Sequence, residues 1–166
     1  TNTLCTIKQK TMKKIYTLLS IIILFSCQPK KTETEIIKDA FTLLLKENTS
    51  QQEIQKYYKF PFFNDRQIYE NPKEFLEWKE KNFKDKDKAP KVENLEIIDS
   101  YSFNGFSRDD FKNNDRYEDL KRILTLNKEN SKILEVVFNK KDFLKNGGSF
   151  LVLYDTNSNK IFGFED

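Results

Sequence analysis

Helix-period hydrophobicity in the first half of the chain and strand-period alternation in the second predict an α+β fold, with N-terminal helices packed on a curved antiparallel β-sheet. The punctuation agrees. Two capping boxes and an Asn-Pro helix start precede position 75, and a Ser/Asn turn signal separates the last two strand-like runs.

Ile37, Ala40, Phe41, Leu44 and Leu45 recur at helical spacing behind a Thr32–Glu35 capping box, and Asn48-Thr49-Ser50 ends the run. Ser50 to Glu53 is a second capping box. It opens a helix with Ile54, Tyr57 and Tyr58 on one face, closed by Pro61 because the residue before proline is pushed out of the helical region. Phe60–Phe63, Asn64-Asp65 and Arg66–Tyr69 read as strand, turn and strand. Asn71-Pro72-Lys73-Glu74 starts a helix with Phe75, Leu76 and Phe83 on its apolar side and Trp78 near its edge. Lys84–Pro90 reads as a solvated connector.

Beyond it the period changes. Leu95, Ile97, Tyr101 and Phe103 alternate along one strand face, with Asp99 among them. Ser107–Leu124 is mixed: a Ser107–Asp110 cap, an Asn113-Asn114 interruption, then Tyr117, Leu120, Ile123 and Leu124 at helical spacing. Leu124-Thr125-Leu126 serves equally as the start of a strand. Lys132–Phe138, Ser149–Tyr154 and Lys160–Phe164 are strands, the last two joined by an Asn157–Asn159 turn.

Ahead of this domain, Lys13 and Lys14 precede an apolar run from Ile15 to Phe25. Its 11 residues are too few to span a bilayer, which takes roughly 20. A basic start, a short apolar core and small residues after it form a cleavable export signal. Leu24-Phe25-Ser26-Cys27 resembles the bacterial lipobox. That resemblance implies cleavage after Ser26, a diacylglyceryl group on the Cys27 sulfur, and a new amine open to acylation by a palmitate-like chain. Two or three acyl chains, at ~0.8 kcal/mol per buried CH₂, hold a protein on a membrane stably. The expected organisation is therefore 1–11 as an upstream extension, 12–26 as signal peptide, 27–33 as polar tether and 34–166 as one α+β domain. Gln28, following the lipidated position, would permit outer-membrane sorting in a diderm host. The expected address is the bacterial cell envelope, lipid-anchored.

The chain's formal charge of +3 belongs to its leader. Lys8, Lys10, Lys13 and Lys14 lie upstream of Cys27, leaving 25 of the 29 basic side chains against all 26 acidic ones, a net −1. With signs interleaved, no nucleic-acid footprint forms. Histidine is absent, and Cys5 and Cys27 are the only cysteines. His-dependent triads, thiol nucleophiles and Cys/His metal sites are thereby excluded from the domain, and neither a metal nor a cofactor is expected beyond the Cys27 lipid. Aromatics supply the core instead.

Tyr57-Tyr58-Lys59-Phe60-Pro61-Phe62 followed by Ile68–Phe75-Leu76 resembles exported members of the nuclear-transport-factor-2-like (cystatin-like) superfamily, over most of Glu33–Asp166. The resemblance implies a cone whose sheet and helices enclose an apolar pocket; Ser107–Leu124 departs from it as an insertion bearing on the pocket mouth. Enzymes of that superfamily, dehydratases and isomerases among them, place Asp or His in the pocket. Here the carboxylate candidates are Asp99, on the face of Ile97 and Tyr101, and Glu135, between Leu134 and Val136. Each has an ordinary reading as well: Asp99 at an exposed strand end or paired with a lysine, Glu135 on the solvent face. Tyr57, Tyr58, Trp78 and Tyr101 are the candidate pocket residues, although aromatics at this spacing also build cores. The leading expectation is a membrane-anchored, non-enzymatic binding or interaction module with a small apolar-ligand cavity or a protein partner. The alternatives are a carboxylate/Tyr lyase or isomerase and an inhibitor or immunity lipoprotein, whose contact loop would be Phe103–Phe111.

Overall fold

In the computed structural model the described residues are 30–64, 67–83, 91–102 and 115–165. The leader, Ser26, Cys27, the Lys84–Pro90 connector, the Ser107–Asp110 cap and the Phe103–Phe111 loop lie outside them. The chain divides into two compact units, Thr1–Lys31 and Thr32–Asp166, and every described helix and strand belongs to the second.

The α+β expectation holds: helices from the N-terminal part pack on an open, curved six-stranded sheet. Helix α1 (Glu33–Leu45) and helix α2 (Gln51–Tyr57) both start with complete capping boxes, Thr32 with Glu35 and Ser50 with Glu53. Strands β1 (Tyr58–Asn64) and β2 (Gln67–Tyr69) follow. Helix α3 (Pro72–Asn82) is capped by Asn71, whose Oδ1 accepts from the Lys73 and Glu74 amides. A 3₁₀ turn (Val92–Asn94) leads into β3 (Glu96–Ser102), then helix α4 (Asp115–Leu126) and a second 3₁₀ turn (Lys128–Asn130). Strand β4 (Ser131–Val137), helix α5 (Lys140–Asn146), β5 (Phe150–Asp155) and β6 (Lys160–Glu165) complete the unit.

The strand order is β2-β1-β6-β5-β4-β3. Every pairing is antiparallel except β1 with β6, so the expected antiparallel sheet is a mixed one. β1 lies between β6, to which it is parallel, and β2, to which it is antiparallel. Pro61, expected to close α2, lies inside β1 behind a cis peptide, and the helix ends at Tyr57.

The sheet buries both faces. On the first, Ile36, Ile37, Ala40, Phe41 and Leu44 of α1, with Ile54 and Phe75, meet Leu134, Val136, Val152, Tyr154, Ile161 and Phe164. On the second, Ile123 and Leu124 of α4 meet Phe63, Ile133, Leu151, Leu153 and Phe162. Ile123 and Leu124 thus cover the face opposite α1, rather than extending the mouth of the first face. Their helix also runs on through Leu126, so no strand starts at Leu124. Gly163 sits where a side chain would not fit: a Cβ there would lie 2.7 Å from Leu153 Cδ1 and 2.9 Å from the Phe63 carbonyl.

Candidate functional site

The first face leaves a cavity of about 360 Å³ between the C-terminal end of α1, the end of α3 and the strand ends. Phe41 and Leu45 come from α1, Trp78 and Asn82 from α3, and Phe83 follows it. Val92, Asn64, Phe138, Phe150 and Phe164 complete most of the wall. The size falls within the range of small-molecule sites, which are concave and mostly apolar.

Local contacts set each wall. Lys79 Nζ donates to the Lys46 carbonyl (2.6 Å), holding α3 against the end of α1 and so placing Trp78 and Phe83 beside Leu45. Lys38 Nζ donates to the Glu93 carbonyl (2.8 Å), fixing the 3₁₀ turn that carries Val92. Across the sheet, register pairs Val136 with Phe150 and Val152 with Phe164, so alternation keeps these aromatics on one face. Phe138 and Phe150 stack with centroids 5.2 Å apart, and Phe41 meets each at 5.4 Å edge-on. Trp78 contacts Phe75 (5.2 Å) and Phe83 (5.4 Å). Interlocked rings of this kind add to simple burial and hold a wall in shape without ligand.

Glu165 also borders the cavity and is buried. Its register partner Leu151 packs in the second-face cluster, so strand alternation carries its side chain to that face. It meets the cavity from behind the wall.

Of the four candidate pocket residues, Trp78 alone lines this cavity. Tyr58 is core, its hydroxyl donating to the Ala40 carbonyl at 2.7 Å, and burial raises its pKa well above the usual phenol value. Tyr57 is half-buried between α1 and α2 and donates to Asp39 Oδ2 at 3.2 Å. Tyr101 lies on the second face. The cause is a register shift between Ile97 and Asp99: Ile97 packs on the first face, whereas Asp99 and Tyr101 stand opposite Glu135 and Ile133. The unbroken alternation expected for β3 does not survive that bulge.

The structure nevertheless brings Asp99, Tyr101 and Glu135 together. The Tyr101 hydroxyl is 2.9 Å from Asp99 Oδ2 and 3.0 Å from Glu135 Oε2, and Ser149 Oγ donates to Glu135 Oε1 at 2.5 Å. One phenol proton is shared by two carboxylates. The Asp99 hydrogen bond, then burial and the Glu135 bond, push the Tyr101 pKa up to about 12. Asp99 is exposed and Glu135 half-buried, and this trio and the cavity occupy opposite faces of the sheet. They do not form one site.

A third cluster is an ion pair between a half-exposed lysine and a buried aspartate. Lys59 Nζ reaches Asp155 Oδ2 (2.5 Å) and Asn127 Oδ1 (2.6 Å), while Asp155 Oδ1 accepts from the Asn157 and Ser158 amides. Asp155 is only 2% exposed. Burial pushes its pKa up, but the Lys59 bond and the two amides outweigh it and hold the carboxyl below the usual value. This pair knits β1, the α4–β4 connection and the β5–β6 turn. Among the described residues, no group of three or more His, Cys, Asp or Glu side chains could hold a metal, and no helix is long and apolar enough to cross a membrane.

Sequence reasoning missed Phe41, Phe138, Phe150, Phe164 and Asn64 as cavity residues. Phe138 and Phe150 sit at the feet of the β4–β5 connection, and a hairpin signal there would have paired them. No protein-family model, curated protein or solved structure matches this chain.

Proposed function

We propose that this protein is a lipid-anchored envelope protein whose domain binds a small apolar molecule in the aromatic cavity of the first sheet face. The single observation that carries the ligand reading is the cavity itself: about 360 Å³ of apolar space bounded by Phe41, Trp78, Phe83, Phe138, Phe150 and Phe164. Protein interiors are otherwise close-packed, and concave, mostly apolar spaces of this size are where small molecules bind. The anchor reading rests on the basic, apolar and Leu24–Cys27 succession of the leader.

Native mass spectrometry of the full chain purified from its own membranes tests the ligand reading. A retained small molecule, lost from a Val92→Phe variant that fills the cavity, is the expected result. Identical spectra for both proteins, without an adduct, would count against it. Membrane fractionation tests the anchor: Cys27→Ser should move the chain out of the membrane pellet, and an unchanged pellet fraction contradicts lipidation at Cys27.

A further inference from the structure

We propose that helix α5 is a membrane-docking element: Leu144 enters the interface of an anionic lipid bilayer while Lys141 and Lys145 meet its headgroups. This goes beyond the ligand reading and does not need the cavity to be filled. It rests on the anchored reading only for bringing a bilayer within reach.

Leu144 is 76% exposed, the more exposed of the two large hydrophobic side chains left in water among the described residues. Its neighbours on the helix are basic. Lys140 and Lys141 stand four and three residues before it, on the same helix face, and Lys145 follows it. All three lysines are exposed, and Phe143 is half-buried. Three lysines against Asp142 give α5 a net charge of +2, in a region beyond Cys27 whose 25 basic and 26 acidic side chains sum to −1. Asp142 is engaged at the helix start, where its Oδ2 accepts from Asn139 Nδ2 at 2.7 Å. Lys140 Nζ lies 4.0 Å from Glu96 Oε2 with both side chains more than half exposed, a pairing that water and salt weaken.

A leucine bordered by lysines suits the surface of an anionic membrane. The apolar side chain sinks toward the acyl chains, the lysine stems run beside it, and their ammonium groups stay with the headgroups. A stable protein contact asks for something else, roughly 800 Å² per partner around aromatic and Arg anchors. The helix is also free for such a role, since none of its residues is fully buried. Gly147 and Gly148, at φ +73° and +101°, end it where an added Cβ would meet nothing within 4 Å, so the β4–β5 connection stands in open space there. The same connection joins Phe138 to Phe150 of the cavity wall, and docking holds that end of the cavity near lipid.

The test uses the full chain, incorporated from detergent into vesicles with brominated acyl chains, which quench tryptophan on contact. One set of vesicles is phosphatidylcholine alone, the other one-third phosphatidylglycerol. Wild type supplies the Trp78 background, and the added emission of Leu144→Trp reports position 144. Bromine should quench that added emission at least about threefold more in the anionic vesicles than in the neutral ones. Lys141→Gln with Lys145→Gln, on the same background, should abolish the difference. Equal quenching in the two compositions, or none in either, overturns the proposal. A blue shift of the added emission on mixing with envelope proteins, without quenching on vesicles, assigns the surface to a protein partner and overturns it as well. Detergent incorporation does not depend on lipidation, so the Cys27→Ser fractionation can fail while this docking stands, and the reverse.

Discussion

Asp155 shows how much one side chain can carry. Its folded-state pKa is depressed, so its stabilising contribution is present above the unfolded value of about 3.8 and is lost as pH falls through the lower folded value. Asp155→Asn should therefore be destabilised relative to wild type at pH 7, by about 2 kcal/mol for the lost charged hydrogen bonds. The gap should narrow in urea melts taken progressively below pH 4. A gap independent of pH would mean that Asp155 acts through packing alone. Gly163 carries a purely steric constraint. In Gly163→Ala the new methyl meets the Phe63 carbonyl, which cannot swing aside as a side chain can. A loss of about 2 kcal/mol in the same melts is expected.

At the scale of elements, the caps and the packing make separate contributions. Asn71→Ala removes the acceptor for two amides at the start of α3 and should lower stability by about 1 kcal/mol. Since α3 carries Trp78 and Asn82, a frayed start should also loosen the cavity wall, read as a weaker and red-shifted Trp78 emission. Helix α5 is the contrast: none of its residues is fully buried, and Leu144 is 76% exposed. Leu144→Ser should shift the melting midpoint by no more than about 0.5 kcal/mol equivalent. These local devices are legible in the sequence because caps and breakers act over three or four residues: Thr32, Ser50, Asn71 and Pro72 all do as their positions suggest. The α5 start at Asn139 carries the same kind of signal, with Asn139 Oδ1 accepting from the Lys141 and Asp142 amides, yet its helix is too short and too polar for periodicity to announce it. The β3 bulge is not legible, since a register shift depends on which residues β4 presents across the gap. It carries Asp99 and Tyr101 to the face opposite the one Ile97 faces, and with them two of the candidate site residues.

For the whole domain, the sheet separates two jobs. The second face is filled by α4 and holds the Asp99–Tyr101–Glu135 trio; the first is filled by α1, α2 and α3 except where the aromatic cavity remains. The α+β order is readable from periodicity alone. The cavity is not, because its walls come from separate segments joined by long-range pairing: Phe138 and Phe150 meet only through the β4–β5 register, and Phe164 only through β6. Binding of an apolar ligand in this space is the central claim. Trp78, the chain's single tryptophan, stands in the cavity wall and can report occupancy directly by energy transfer to bound N-phenyl-1-naphthylamine. A ligand-binding cavity predicts saturable transfer at one probe per chain, abolished in Val92→Phe while its melting midpoint stays within a few degrees of wild type. Transfer that never saturates, or that persists unchanged in Val92→Phe, would contradict it.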